Sequence, residues 1–214
     1  MIMGGKIFDY DGPVVRATEK MGQLILLNIL TILCSLPVVT FGASFAALDT
    51  VVLKMSKDEE SYVAKSFFKA FRANLKIGII SSLTILLLLA LGFADYYAMT
   101  LVEAWFVDIS RILLIVFGIF FAITVTFLFP VMAKFEAGFI DTVKNAFKFA
   151  VSHIFKTLLM LILNLIPWVI CYFFNFLGPI LFIFGLSVPA YLGTGLYREE
   201  FRKLEEAYYA GKDI

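Results

Sequence analysis

Charge is scarce in this sequence. Asp, Glu, Lys and Arg together make up 16% of its 214 residues, where a soluble domain carries about 25%. That shortage excludes an ordinary water-facing surface for a chain of this length. Histidine occurs once and cysteine twice, too few for a recognisable zinc site or a disulfide framework. Cys34 and Cys171 fall inside apolar blocks and read as buried free thiols. His153 stands where an apolar block begins and reads as an interfacial polar residue. Excess charge of one sign is missing too. The 18 basic residues face 17 acidic ones, so nucleic acid is not an expected partner. Neither a Walker loop, nor a dinucleotide-binding glycine fingerprint, nor a nucleophile elbow occurs. No catalytic, cofactor-binding or metal-ligating residue is assigned, no cofactor is implied, and enzyme activity is not expected.

What the chain has in abundance is apolar sequence. Hydrophobic residues make up 61% of it and the mean hydropathy is +0.93. They gather into five uncharged blocks: Met21 to Leu48, Ile77 to Ala94, Ile112 to Ala133, Thr157 to Phe174 and Ile180 to Tyr197. Each reaches about 18 residues or more, enough at 1.5 Å per residue to cross a hydrocarbon core of about 30 Å. Lipid offers no hydrogen-bond partners, so spanning backbone must satisfy itself, and without period-2 alternation the solution is helical. The expected fold is all-α. It is a polytopic transmembrane bundle forming one membrane domain over residues 1–214, with spans at about 21–40, 77–94, 112–133, 157–174 and 180–197.

The first block is too long for one straight crossing, at about 42 Å if wholly helical. Pro37 removes a backbone donor and Gly42 adds freedom, which places a break between them. The five-span reading has one crossing to Thr40, after which Gly42 to Lys54 leaves the membrane on the same side. The alternative is a hairpin of two short crossings, giving six spans. Its pieces of about 15 residues fall under the usual minimum of about 17. With five spans, fourteen of the 18 basic residues lie in segments that the positive-inside rule makes cytoplasmic, including the C-terminal tail. Six spans move the N-terminus inside and satisfy the rule better still. Lys6, Arg16 and Lys20 are balanced by Asp9, Asp11 and Glu19, so no signal-peptide cleavage is expected near Ser44 to Ala46.

The cytoplasmic segments are patterned. Lys65, Lys69, Arg72 and Lys76 share one helical face, with Phe67, Phe68, Phe71 and Leu75 on the other. Such a basic amphipathic helix binds the anionic inner leaflet, or serves as a connector that packs its aromatics on the bundle. Ala70-Phe71-Arg72 aligns with Ala146-Phe147-Lys148, each set following a span with a proline, Pro37 or Pro130. This makes a weak parallel internal repeat, an arrangement found in transporters and in other duplicated bundles. Pro189 sits near the inner end of the last block.

Few polar groups interrupt the spans. Asn28 and Asn164 each need a hydrogen-bond partner, either a neighbouring helix or a hydrated cavity. Asp49 and Glu136 stand near the inner mouth, where each either pairs with a basic neighbour or is solvated. Asp95, Tyr96, Tyr97 and Trp105 read as an aromatic interface belt. Gly42 with Ala46, and Gly78 with Ser82, form small-xxx-small faces that permit close helix approach. Glu136-Ala137-Gly138 opens like the coupling loop of sugar-importing ABC permeases. The second Ala and the later Gly and Ile-x-Leu-Pro do not follow, so membership of that class is rejected.

Several segments together resemble the YesL family of bacterial membrane proteins. They are Leu27-Asn28-Ile29-Leu30, Leu36-Pro37-Val38-Val39-Thr40 with Gly42-Ala43, Ser66-Phe67-Phe68-Lys69-Ala70-Phe71 with Asn74, Phe129-Pro130-Val131, and Phe135-Glu136. The likeness extends to about residue 165. It implies a multi-pass protein of the bacterial plasma membrane, in a family without assigned function whose members are often encoded beside carbohydrate-uptake genes, ABC sugar importers among them. It supplies no catalytic residue. Asn28, Pro37, Thr40, Gly42, Asn74, Pro130 and Glu136 match the family as fold or hinge positions. The expected role is that of an accessory or regulatory component of oligosaccharide uptake, with a sugar ABC transporter or another membrane protein as partner. The alternative is a small solute transporter acting as a homo-oligomer, since five spans alone enclose little space.

Overall fold

The computed structural model describes residues 13–59, 62–101, 106–174, 176 and 178–210. Among the described residues there is no strand. The helices are α1 (Pro13–Ser35), α2 (Phe41–Met55), α3 (Val63–Thr100), α4 (Phe106–Lys134), α5 (Phe139–Ser152), α6 (Ile154–Phe173), α7 (Gly178–Phe184) and α8 (Ser187–Ala210). Five stretches are long and apolar enough to cross a membrane: Val14–Ser35, Val38–Met55, Val63–Thr100, Val107–Lys134 and Ile154–Phe173. The pair α7 and α8, bent by 49°, makes a sixth if taken as one broken span. Trp105 lies outside the described residues.

The first apolar block turns back on itself. Pro37 cannot continue α1, and Thr40 closes the turn by donating its hydroxyl to the Cys34 and Pro37 carbonyls at 2.7 and 2.8 Å. The chain then returns as α2. Three residues after α2, Asp58 meets the Lys20 ammonium at 2.8 Å, so the start of α1 and the end of α2 lie at the same end of the bundle. This corrects the expectation that Gly42 to Lys54 leaves the membrane on the side where α1 ends. The minimum-length rule applies to a span surrounded by lipid, and α2 is not one. In its 18-residue window 61% of residues are buried, against 11% to 22% in the other four stretches. Protein replaces lipid around it.

The exit from α2 is specified locally. Glu59 N–H donates to the Lys54 carbonyl at 3.1 Å and Asp58 N–H to the Met55 carbonyl at 3.2 Å, the bond pair of a Schellman ending. Asp58 takes the left-handed conformation, φ 56°, that glycine usually fills; Asp is among the few others that tolerate it. The Lys20 ammonium hydrogen-bonds its carboxylate and holds it below the usual carboxylate range.

Helix α2 packs against α1, α3, α4 and α8, and its closest neighbour is α3. Gly42 and Gly78 face each other. A methyl group added to Gly78 would collide with the Ala43 backbone, and one added to Gly42 would collide with the Gly78 carbonyl. Ser82 locks the crossing, accepting from Gly42 N–H at 2.8 Å and donating to the Gly78 carbonyl at 2.9 Å. The Gly42 amide is one of the orphan donors at a helix start. Two apolar clusters flank this contact. Leu27, Leu48, Val51, Val52, Met55 and Phe67 fill the space among α1, α2 and α3. On the other side Phe127, Phe149, Tyr197 and Phe201 stack with ring centroids 4.8 to 6.1 Å apart.

The basic segment at residues 65–76 is not a separate surface helix. It is the first part of α3, which runs unbroken for 38 residues, about 57 Å. Its basic face is exposed as the pattern predicts, but of the expected apolar face Phe67 is buried, Phe71 and Leu75 are half-buried and Phe68 is exposed. Phe67 and Ala70 are buried against α2, while Lys65, Lys69, Arg72 and Lys76 are exposed. The second amphipathic helix does stand apart as α5, with Thr142, Ala146, Phe149 and Ala150 buried. Pro37 ends α1, whereas Pro130 lies within α4. The last apolar block breaks before Ser187, and Pro189 falls in the first turn of α8, where a missing N–H costs nothing.

Single cysteines placed at Glu19 and at Lys57, in a Cys34→Ser/Cys171→Ser background, should react with an impermeant maleimide from the same side of the membrane. Labelling from opposite sides would refute the hairpin. Gly78→Ala should lower stability in detergent by about 1–3 kcal/mol through overpacking. Gly118→Ala, where no atom lies within 4 Å of the new methyl, should leave the thermal midpoint unchanged or raise it.

Candidate functional site

The amides expected to line a cavity do something else. Asn28 is fully buried and its side chain spans the break between α7 and α8. Its Nδ2 donates to the Phe182 carbonyl at 2.6 Å, and its Oδ1 accepts from the Leu186 and Ser187 amides at 2.8 and 3.0 Å. A helix interrupted inside lipid exposes backbone groups that cost several kcal/mol each unless paired; Asn28 pairs three of them from another helix. Asn164 instead donates to the Met160 carbonyl of its own helix at 2.9 Å. Neither lines the clefts described below.

Asp49 lies on the inner side of α2, 7% exposed, within electrostatic reach of the Tyr197 hydroxyl. Neither of the expected surroundings, a basic partner at the mouth or bulk water, is found. Among the described residues it makes no ion pair or hydrogen bond, and the buried Tyr197 hydroxyl likewise lacks a hydrogen-bond partner. Cys34 and Cys171 are free and half-buried rather than buried.

Ion pairs gather at the end of the bundle where α1 starts and α2 ends. Helix α8 collects them as it passes. Arg198 donates to the Ser56 carbonyl at 3.1 Å. Glu200 takes Lys156 at 2.9 Å, with His153 Nε2 at 3.7 Å. Glu205 holds Lys134 at the end of α4. His153 is therefore a junction residue, ending α5, stacked on Phe149 with centroids 4.7 Å apart and facing a carboxylate.

Beside this charged belt lies a cleft of about 600 Å³ between α2, α3, the end of α4 and the loop into α5. Thr50 and Lys54 of α2 form one wall; Ser66, Lys69 and Asn74 of α3 form the second; Lys134 and Glu136 close the third. The structure thus brings together three predicted positions, Lys69, Asn74 and Glu136. Asn74 donates to the Ala70 carbonyl at 3.0 Å and Thr50 to the Ala46 carbonyl at 2.7 Å. Lys69 and Glu136 are exposed and form no ion pair among the described residues. Sequence reading missed Lys54, Ser66 and Lys134 as partners in one site. Each sits at the end of a different apolar stretch, and only the doubling back of α2 makes them neighbours. A second cleft of about 270 Å³ shares Thr50, Lys54, Ala133 and Lys134 with the first and is lined beyond them by Arg198, Arg202 and Glu205. Among the described residues no three of His, Cys, Asp and Glu converge as metal ligands.

The Asn28 geometry makes a direct prediction. Asn28→Leu removes three hydrogen bonds and leaves two amides and a carbonyl buried, so it should destabilise the purified protein by about 2–4 kcal/mol. Asn164→Leu should change the midpoint by less than about 0.5 kcal/mol. Thermal unfolding in one mild detergent compares them, and equal effects would contradict the bridging role.

Residues 24–96, from α1 into the second half of α3, match the family model described as "Protein of unknown function, DUF624". The matched stretch contains Asn28, the Pro37 turn, all of α2 and the Gly42–Gly78 crossing. No curated protein and no solved structure matches the chain.

Proposed function

We propose that this chain is a non-enzymatic, multi-pass component of the bacterial plasma membrane that assists or regulates oligosaccharide uptake by contacting a partner complex. The positive-inside rule places its charged end, with the last part of α8, in the cytoplasm. One observation carries the reading: the buried Asn28 amide is consumed in joining helices, whereas concave polar surface is concentrated at the charged end. A protein built this way offers a docking face more readily than a solute path. The resemblance to the YesL family supplies the carbohydrate context. Partners recognised through such a face would be the membrane-embedded or peripheral subunits of a sugar importer.

Asp49 favours a second reading, a small transporter acting as an oligomer. An ionisable group inside a membrane bundle marks ion or substrate pathways often enough to be tested. The two readings separate experimentally. Affinity purification from a mild detergent, out of cells grown on oligosaccharide, should recover an importer subunit at a constant ratio. Lys54→Glu/Lys134→Glu should weaken that recovery at least tenfold. Repeated purification without any transport or regulatory protein would argue against the accessory role. Solute flux in liposomes holding this chain alone, lost in Asp49→Asn, would establish the transporter instead.

A further inference from the structure

We infer that Asp49 of α2 and Tyr197 of α8 form a proton-binding site inside the bundle, entered from the charged end. Asp49 is 7% exposed, and its helix neighbours Leu48, Val51 and Val52 are buried apolar residues. An ionised carboxylate in such surroundings needs a cation or several hydrogen-bond donors. Among the described residues Asp49 has neither. Helices α1, α3 and α4 also pack on α2, but among the described residues they bring no titratable group within electrostatic reach of it; only Tyr197, from α8, is that close. With no counter-charge at hand, the carboxyl is accommodated by holding a proton.

Tyr197 supplies the second half of the site. It is fully buried, and its hydroxyl has no hydrogen-bond partner. Its ring packs on Phe127 and Phe201 at centroid distances of 6.1 and 4.9 Å, which keeps the polar end inside. An uncommitted hydroxyl hydrogen can turn to the carboxylate, directly or through one water, once the proton leaves. The way in is short. Helices α2 and α8 both run toward the charged end. Leu53 and Phe201 stand one helical turn beyond Asp49 and Tyr197 on the same faces, and both line the cleft of about 270 Å³. A single apolar layer therefore separates the buried pair from that polar cleft. A proton held here suits either role proposed above, as a cytoplasmic pH signal passed to a partner or as a coupling ion.

The test is carbodiimide labelling of the whole chain in a neutral maltoside detergent, read by peptide mass mapping. A carbodiimide reacts with a carboxylic acid that still holds its proton: the proton passes to one nitrogen and the carboxyl oxygen bonds the central carbon. Apolar dicyclohexylcarbodiimide should modify Asp49 at neutral pH, where exposed carboxylates are ionised, with a yield that falls as the pH is raised. A water-soluble carbodiimide with glycine ethyl ester should instead modify exposed Glu136 and spare Asp49. Asp49→Asn, isosteric with the protonated acid, should keep the parent's thermal midpoint and lose the label. Tyr197→Phe removes the donor that favours the ionised form, so labelling should persist to a pH about one unit higher. Leu53→Ala thins the apolar layer and should speed attack on Asp49 by the water-soluble reagent several-fold. Three results overturn the site: no dicyclohexylcarbodiimide adduct at Asp49 at any pH, equal labelling of Asp49 and Glu136 by the water-soluble reagent, or an unchanged pH profile in Tyr197→Phe. Unchanged access in Leu53→Ala overturns entry from the charged end. Recovery of an importer subunit does not depend on Asp49, so the accessory role stands or falls separately.

Discussion

The contact of α2 with α3 at Gly42, Gly78 and Ser82 holds the rest of the bundle in place. Lipid tails are as apolar as leucine, so burying Val51 or Phe127 against another helix gains little in a membrane. Close van der Waals approach and interhelical hydrogen bonds must supply the difference. Two glycines let the backbones meet, and the Ser82 hydroxyl accepts the Gly42 amide across the contact while donating to the Gly78 carbonyl of its own helix. Once α2 is fixed there, α1 is tied to it by the Pro37 turn at one end and by Lys20 and Asp58 at the other. A short helix can then be the most buried of the apolar stretches.

A second constraint follows from that burial. Helix α8 must pass along α1 and α2, yet its approach through α7 is broken. The break exposes backbone groups where water is absent, and Asn28 meets the need from α1. The family match at residues 24–96 covers Asn28, the turn and the glycine crossing, but stops short of α7 and α8. The matched segment is therefore the part that closes on itself, and it carries the amide that receives the last two helices.

Helical class, the apolar stretches and the break at Pro37 were legible in the sequence, because lipid imposes length and hydropathy on each stretch separately. The path of α2 was not. Its 15 residues look too few for a span only if lipid surrounds them, and nothing local shows that other helices do. The small residues Gly42, Ala46, Gly78 and Ser82 were visible as two faces, but not as faces that meet each other. Asn28 was legible as a residue in need of partners, whereas the α7–α8 break that provides them is hidden inside a continuous apolar run. Lys69, Asn74 and Glu136 were each noticed, but their convergence with Lys54 and Lys134 is tertiary. The continuity of α3 was missed because the change from basic to apolar sequence near Ile77 resembles an element boundary. No residue there breaks a helix, so the backbone carries straight through.

The placement of charge completes the architecture. Helix α8 runs from the Asn28 bridge to the charged end, and within two turns it binds the α2–α3 connection through Arg198, the start of α6 through Glu200 and the end of α4 through Glu205. Exposed ion pairs of this kind contribute little to stability one at a time. Their effect here is geometric, since they set the spacing of α2, α4 and α6 around a single strap. The lysine cleft lies immediately beside that strap and shares Lys54 and Lys134 with the smaller one.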